Sequence, residues 1–177
     1  MKPIFFILLL IFTISCKAQT IVPLNTSVFD SPSGIYYKKD LNNELNKFEG
    51  TWKYTNGNTS FTMVLEKKLK VNILGKYYKD KIVGWYKYIE NGQVIINTLL
   101  DTNNFRIVHS SRMSDDGKRL ILFFNDPTRP KVSYQVDLDV VSSSTPSVPK
   151  LDFEIFQTGV APTLPGETPA NQGFTIP

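Results

Sequence analysis

The stretch FEGTWKY at residues 48–54 marks a change of pattern in the chain. Before it, DLNNELNKFEG (40–50) places Leu41, Leu45 and Phe48 at i, i+4 and i+7, with Asp40 in the N-cap position and Gly50 as the stop. That spacing predicts one short helical segment, α or 3-10. After it the period is two. In FTMVLEKKLKV (61–71), Phe61, Met63, Leu65, Leu69 and Val71 alternate with Thr62, Glu66, Lys68 and Lys70. In KVSYQVDLDV (131–140), Val132, Tyr134, Val136, Leu138 and Val140 alternate with Ser133, Gln135, Asp137 and Asp139. Alternation of this kind belongs to strands with one buried face. On parity, Phe48, Gly50, Trp52 and Tyr54 share a face and are expected to point inward together as a barrel floor.

The rest of the chain continues the pattern. KIVGWYKYI, QVIINTLL, FRIVHSS, KRLILFFN and LDFEIFQ are apolar runs joined by the short turn segments ENGQ, DTNN and SDDGK. Asn91-Gly92 and Asp116-Gly117 are strong hairpin signals, because both residue types tolerate the positive φ of tight turns. Strands are expected over 50–56, 59–71, 81–90, 93–100, 104–111, 118–125, 131–141 and 151–157. The fold class is therefore all-β: an antiparallel meander of about eight or nine strands with one short N-terminal helix. Helix-length crossovers are missing, so parallel pairing is not expected. Closure into a barrel removes the exposed edges most economically. The rival architecture is an open sandwich with longer loops such as VSSSTPSVPK (141–150). The expected organisation is a leader at 1–15, an arm at 16–39, a barrel at 40–157 and a Pro/Gly-rich tail at 158–177.

The leader carries an address. Lys2 precedes a run at residues 4–14 that is apolar apart from Thr13, too short for a comfortable bilayer span and typical of a secretory signal. The run ends at TISC, which resembles a bacterial lipobox with Ser15 before the cut. Cys16 is the only cysteine of 177 residues. A lone cysteine at the end of an apolar run makes sense as a lipidation site, since a disulfide would need a pair. Several acyl chains on one residue give durable anchoring. The rival reading is secretion after a cut following Ala18. Lys17 in place of Asp resembles lipoproteins of the outer membrane, here expected to face the periplasm. Removing residues 1–15 takes only Lys2 from 20 basic residues against 16 acidic ones, leaving a net +3. That is too modest to suggest a nucleic-acid partner.

KFEGTWKY also resembles the first strand of the calycin superfamily, the lipocalins and fatty-acid-binding proteins, where Gly-x-Trp follows a short helical segment. The whole pattern is similar to small lipocalin-like envelope lipoproteins of unknown function from Gram-negative bacteria. Over residues 40–157 the resemblance implies a barrel with Trp52 across its floor. The chain departs from the fatty-acid-binding proteins in having only TNGNTS where they insert a helical lid, and it has no Arg-x-Tyr. It departs from the lipocalins in having no Arg on its late strand. The resemblance thus implies the shape of these families without their ligand grip.

Chemistry-bearing residues are sparse. His109 is the only histidine, and its parity with Phe105 and Ile107 is expected to turn it inward. Ser110, Ser111 and Ser114 lie near it in sequence, but a triad is defined by geometry. Asp115-Asp116-Gly117 reads as a turn, and no cysteine or histidine cluster suggests a metal. No cofactor is expected. Lys67, Lys68 and Lys70 read as a solvated strand face, with contact to anionic lipid headgroups as the sharper alternative. Aromatics concentrate at 77–88, where Trp85 and Tyr86, together with His109, are the candidate ligand contacts. The expected function is a non-enzymatic envelope binding module for a small apolar or amphipathic molecule. The alternative is an envelope structural or interaction protein whose barrel is packed solid.

Overall fold

The computed structural model describes residues 19–26, 35–104, 107–141, 149–163, 165–170 and 172–176. The leader, Cys16 and both cut sites lie outside the described residues. Among the described residues ten strands and one 3-10 helix are formed: β1 (Thr20–Pro23), β2 (Tyr36–Lys39), the 3-10 helix (Glu44–Phe48), β3 (Gly50–Asn56), β4 (Thr59–Ile73), β5 (Tyr77–Glu90), β6 (Gln93–Asn97), β7 (Val108–Met113), β8 (Arg119–Phe124), β9 (Val132–Val141) and β10 (Lys150–Val160). They build one strongly curled sheet, a half-barrel.

The backbone is an antiparallel series, β3-β4-β5-β7-β8-β9-β10, each strand hydrogen-bonded to the next. β5 organises it. One edge of β5 pairs with β4 along nearly its whole length. Its other edge is divided among β2 at Tyr78 and Lys79, β7 at Val83 and Gly84, and β6 at residues 87–90. The Asn91-Gly92 turn between β5 and β6 has positive φ at both residues, as a two-residue hairpin of this hand requires.

The all-β, barrel-like fold class is as expected, and two finer details differ. First, parallel pairing is present: β1 pairs parallel with β2, and β2 parallel with β5. The arm at 16–39 is therefore partly sheet. Second, the barrel does not close. Among the described residues β3 pairs only with β4, and β10 only with β9. Six successive antiparallel steps leave these two edge strands running in the same direction, so they cannot close the sheet with an antiparallel ladder.

The concave face holds the core. Phe61, Met63, Leu65, Ile82, Tyr86, Tyr88, Leu122, Phe124, Val136 and Leu138 are all buried there. Leu45 and Phe48 of the 3-10 helix are buried in the same cluster. The N-cap residue is Asn43, in the left-handed region at φ 56°, which corrects the expected N-cap at Asp40; the Asp40 side chain instead reaches the first-turn amides from three residues earlier. Its Oδ1 accepts from the Glu44 amide at 2.8 Å and its Oδ2 from the Leu45 amide at 3.1 Å. Lys67 reaches Asp40 at 2.7 Å, balancing the buried carboxylate.

A second buried carboxylate, Asp80, ties the arm to the sheet. It accepts from the Tyr37 hydroxyl at 2.6 Å, the Asp40 amide at 3.0 Å and the Lys70 amide at 2.9 Å. The β4–β5 register shifts between Lys68 and Val71, and Lys70 sits at φ 51°. The bulge would remove the Lys70 N–H from the ladder, and Asp80 takes it up.

Candidate functional site

The unclosed seam is a large apolar concavity near the residues singled out from the sequence. Directly paired residues on adjacent strands share a face, and the register sets Trp52 opposite Met63 and Tyr54 opposite Phe61. Both aromatics of β3 thus point to the concave side, as parity predicts. Among the described residues no further strand covers them. Trp52 is half-buried, and Tyr54 is 57% exposed. The expected floor of Phe48, Gly50, Trp52 and Tyr54 is therefore corrected. Phe48 closes the core beneath the 3-10 helix, while Gly50, at φ 130° and exposed, starts the edge strand. Trp52 and Tyr54 line the seam.

Across the gap, Leu151 and Phe153 of β10 face them. A groove of about 440 Å³ runs between Trp52, Met63, Leu138 and Leu151. It adjoins a hollow of about 260 Å³ bounded by Tyr54, Phe61, Tyr88, Phe153 and Ile176. Lys53 and Lys150 border the first, and Asp152 borders both. The aromatic floor is continuous: Phe61 lies 5.3 Å from Phe153, and Phe153 lies 6.4 Å edge-on to Phe124. The Trp52 ring is fixed by donating Nε1–H to the Phe48 carbonyl at 2.9 Å.

The tail closes one end of the seam. Tyr134 donates its hydroxyl to the Gly173 carbonyl. Arg129 donates to Thr175 Oγ1 at 2.8 Å and to the Gln172 carbonyl at 3.0 Å. These bonds hold Ile176, buried in the core cluster, at the wall of the smaller hollow.

The candidate contacts Trp85, Tyr86 and His109 are not brought together. Trp85 and Tyr86 are neighbours on β5, so their side chains leave opposite faces of the sheet. Tyr86 is buried on the concave side, stacked on Phe124 at 4.5 Å, with its hydroxyl on the Asn125 carbonyl at 3.2 Å. Burial, helped by Asp126 and Tyr134, pushes that hydroxyl far above its ordinary titration range. Trp85, paired with Val64, is buried on the convex side. His109 is also convex, which corrects the expected inward orientation. It is paired with Phe123, which is half exposed, and its ring lies 5.3 Å away. Val108 and Ser110 take the inward positions instead, and Ser110 Oγ accepts from the Ile82 amide at 3.0 Å.

Among the described residues no group of three His, Cys, Asp or Glu could hold a metal ion. Nor is any helix among them long and apolar enough to cross a membrane. Sequence reasoning missed Phe61, Leu151, Phe153 and Ile176 as site residues. The first three carry a signal, since their alternation places them on the concave face.

Fold and groove together define a small, curled β-sheet protein with an incompletely closed wall and an apolar cleft along its seam. The chain belongs to a family of unknown function, DUF6705, whose model matches residues 1–177. No curated protein and no solved structure matches the chain.

Proposed function

We propose that this chain is a lipocalin-like, non-enzymatic binding module of the bacterial cell envelope. It is anchored through a lipid on Cys16, in the outer membrane facing the periplasm, or else secreted after a cut following Ala18. It holds a small apolar or amphipathic molecule at the seam. One observation carries this reading: the groove between β3 and β10 is lined by Trp52, Tyr54, Phe61, Leu151 and Phe153, while the interior is already filled. Apolar area of this kind rewards an acyl chain or ring, and Lys53 and Lys150 at its border suit a polar head. Native mass spectrometry after incubation with a bacterial lipid extract tests it. A discrete small-molecule adduct is expected, lost in Leu151→Asp, which puts a charge in the groove. No adduct on the unaltered protein overturns the reading.

A second reading, an envelope interaction protein with a solid core, is favoured by the stack of Tyr86 on Phe124 and by the edges of β3 and β10, which are unpaired among the described residues. One extended segment antiparallel to both edges would complete the barrel by strand addition. Hydrogen exchange separates the two readings. Strand addition protects edge amides of β3 and β10, whereas a small apolar ligand leaves them exchanging.

A further inference from the structure

We propose that the convex face where β2 crosses the start of β5 is a binding site for a phosphate group, held by Lys38, Lys79 and Lys81. This site is separate from the seam. The register builds it. Lys38 of β2 is paired with Lys79 of β5, and Lys81 follows on the same face two residues along. Paired Cα atoms lie about 5 Å apart and residues two apart on a strand lie about 6.5 Å apart, so three long side chains can converge on one oxyanion.

The charges are not compensated by the protein. Among the described residues none of these three lysines forms an ion pair. Glu66 of β4 faces the same side through its pairing with Val83 and is bound to Lys68 at 2.6 Å. Lys68 faces the same side through its pairing with Lys81, and its own charge is met by Glu66. From β7, His109 faces the same side through its pairing with Val83.

Nor are the groups fully solvated. Lys81 is only 9% exposed. Lys38 lies over the Tyr77 ring with its Nζ 5.1 Å from the centroid, and Lys79 donates one hydrogen to the Ser111 carbonyl at 2.6 Å. Burial, then the charges of Lys38 and Lys81, bring Lys79 down to about 8. Like charges gathered in a desolvated patch are costly unless an anion completes them. A phosphate offers enough oxygens to accept from all three ammonium groups at once, with charge-assisted bonds. Its source is a lipid headgroup or a free phosphate, and the chemistry is shared.

The test uses the full chain at fixed ionic strength, because exposed phosphate contacts are screened by salt. Calorimetric titration with inorganic phosphate is expected to show saturable binding. Lys38→Gln and the double variant Lys38→Gln/Lys81→Gln should each weaken it about tenfold or more, as loss of a charge-assisted contact does. Lys53→Gln, at the seam, should leave it unchanged. Lys79 is left intact in these variants because it also supports the β7 carbonyl, and thermal melts check that they fold. Flotation of the full chain carrying Cys16→Ser, which removes the acylation site, with phosphatidylcholine vesicles with and without phosphatidylglycerol identifies the source. Binding to the anionic vesicles that is lost in the double variant assigns a headgroup. Phosphate binding without flotation assigns a free phosphate. Absence of phosphate binding to the unaltered protein, or undiminished binding in the folded double variant, overturns the site.

Discussion

Removing the Asp80 carboxylate should cost more stability than any other single polar change at the arm. Asp80 is 1% exposed and accepts three hydrogen bonds, from the Tyr37 hydroxyl and the amides of Asp40 and Lys70. In Asp80→Ala the two amides lose their acceptor in place, and each orphaned buried donor costs about 1–3 kcal/mol. The Tyr37 hydroxyl can turn toward solvent, and removal of a buried charge returns some desolvation energy, so the expected loss is about 3 kcal/mol rather than the full sum. Asp80→Asn keeps one acceptor and turns an amide hydrogen toward the donors on the other side, for a loss of about 2 kcal/mol. Tyr37→Phe removes one bond and costs about 1 kcal/mol. The assay is urea unfolding followed by tryptophan emission. Tyr37→Phe made in the Asp80→Ala background should cost almost nothing further, giving a coupling of about 1 kcal/mol. A loss below about 0.5 kcal/mol for Asp80→Ala, the surface range, would refute the argument that this carboxylate pins the arm and the bulge.

Gly84→Ala is expected to cost about 2–3 kcal/mol in the same urea assay. Its Cβ would lie 2.6 Å from Leu65 Cδ2 and 2.6 Å from the Val64 carbonyl, and the backbone atom cannot yield without parting β4 from β5. Trp52→Phe should cost about 1 kcal/mol, through loss of the bond to the Phe48 carbonyl, because the half-buried ring is largely replaced. Stability should rise with pH between about 8 and the ordinary lysine value of 10.5 on account of Lys79, since there the unfolded chain binds the proton that the folded one has lost. Lys79→Met should flatten that rise in pH-dependent melts. Tyr37 acts in the opposite sense. Burial and Asp80 push its hydroxyl up to about 12 from 10.0, so its contribution is complete below pH 10.0 and is lost as pH climbs to about 12. Tyr37→Phe should reduce the alkaline loss of stability.

Much of the sheet was legible because its signal is local. The alternation in 61–71 and 131–140 and the Asn-Gly and Asp-Gly turns give β4, β9 and the hairpins almost directly. The arm was not legible as sheet. TIVP and YYKK are four-residue strands with no sustained period, and their pairing depends on a stretch of β5 left free by β7. Asp80 lies in KDK, which reads as a solvated charge run. Only the bulge at Lys70 and the approach of Tyr37 turn it into a buried acceptor. Ile176 sits in a tail without periodicity, and its burial is set by bonds to Arg129 and Tyr134 far away in sequence.

The candidate site shows why parity and burial have to be argued separately. Parity is a property of one strand, fixed by its pleat, and the pairings Trp52–Met63 and Tyr54–Phe61 obey it. Burial depends on what stands opposite, and that depends on closure. Seven antiparallel strands from β3 to β10 bring two like-directed edges to the seam. The same side chains that would floor a closed barrel therefore line an open cleft. GTWKY carries the same inward residues in either case, and the number of strands after it decides whether they are core or contact surface.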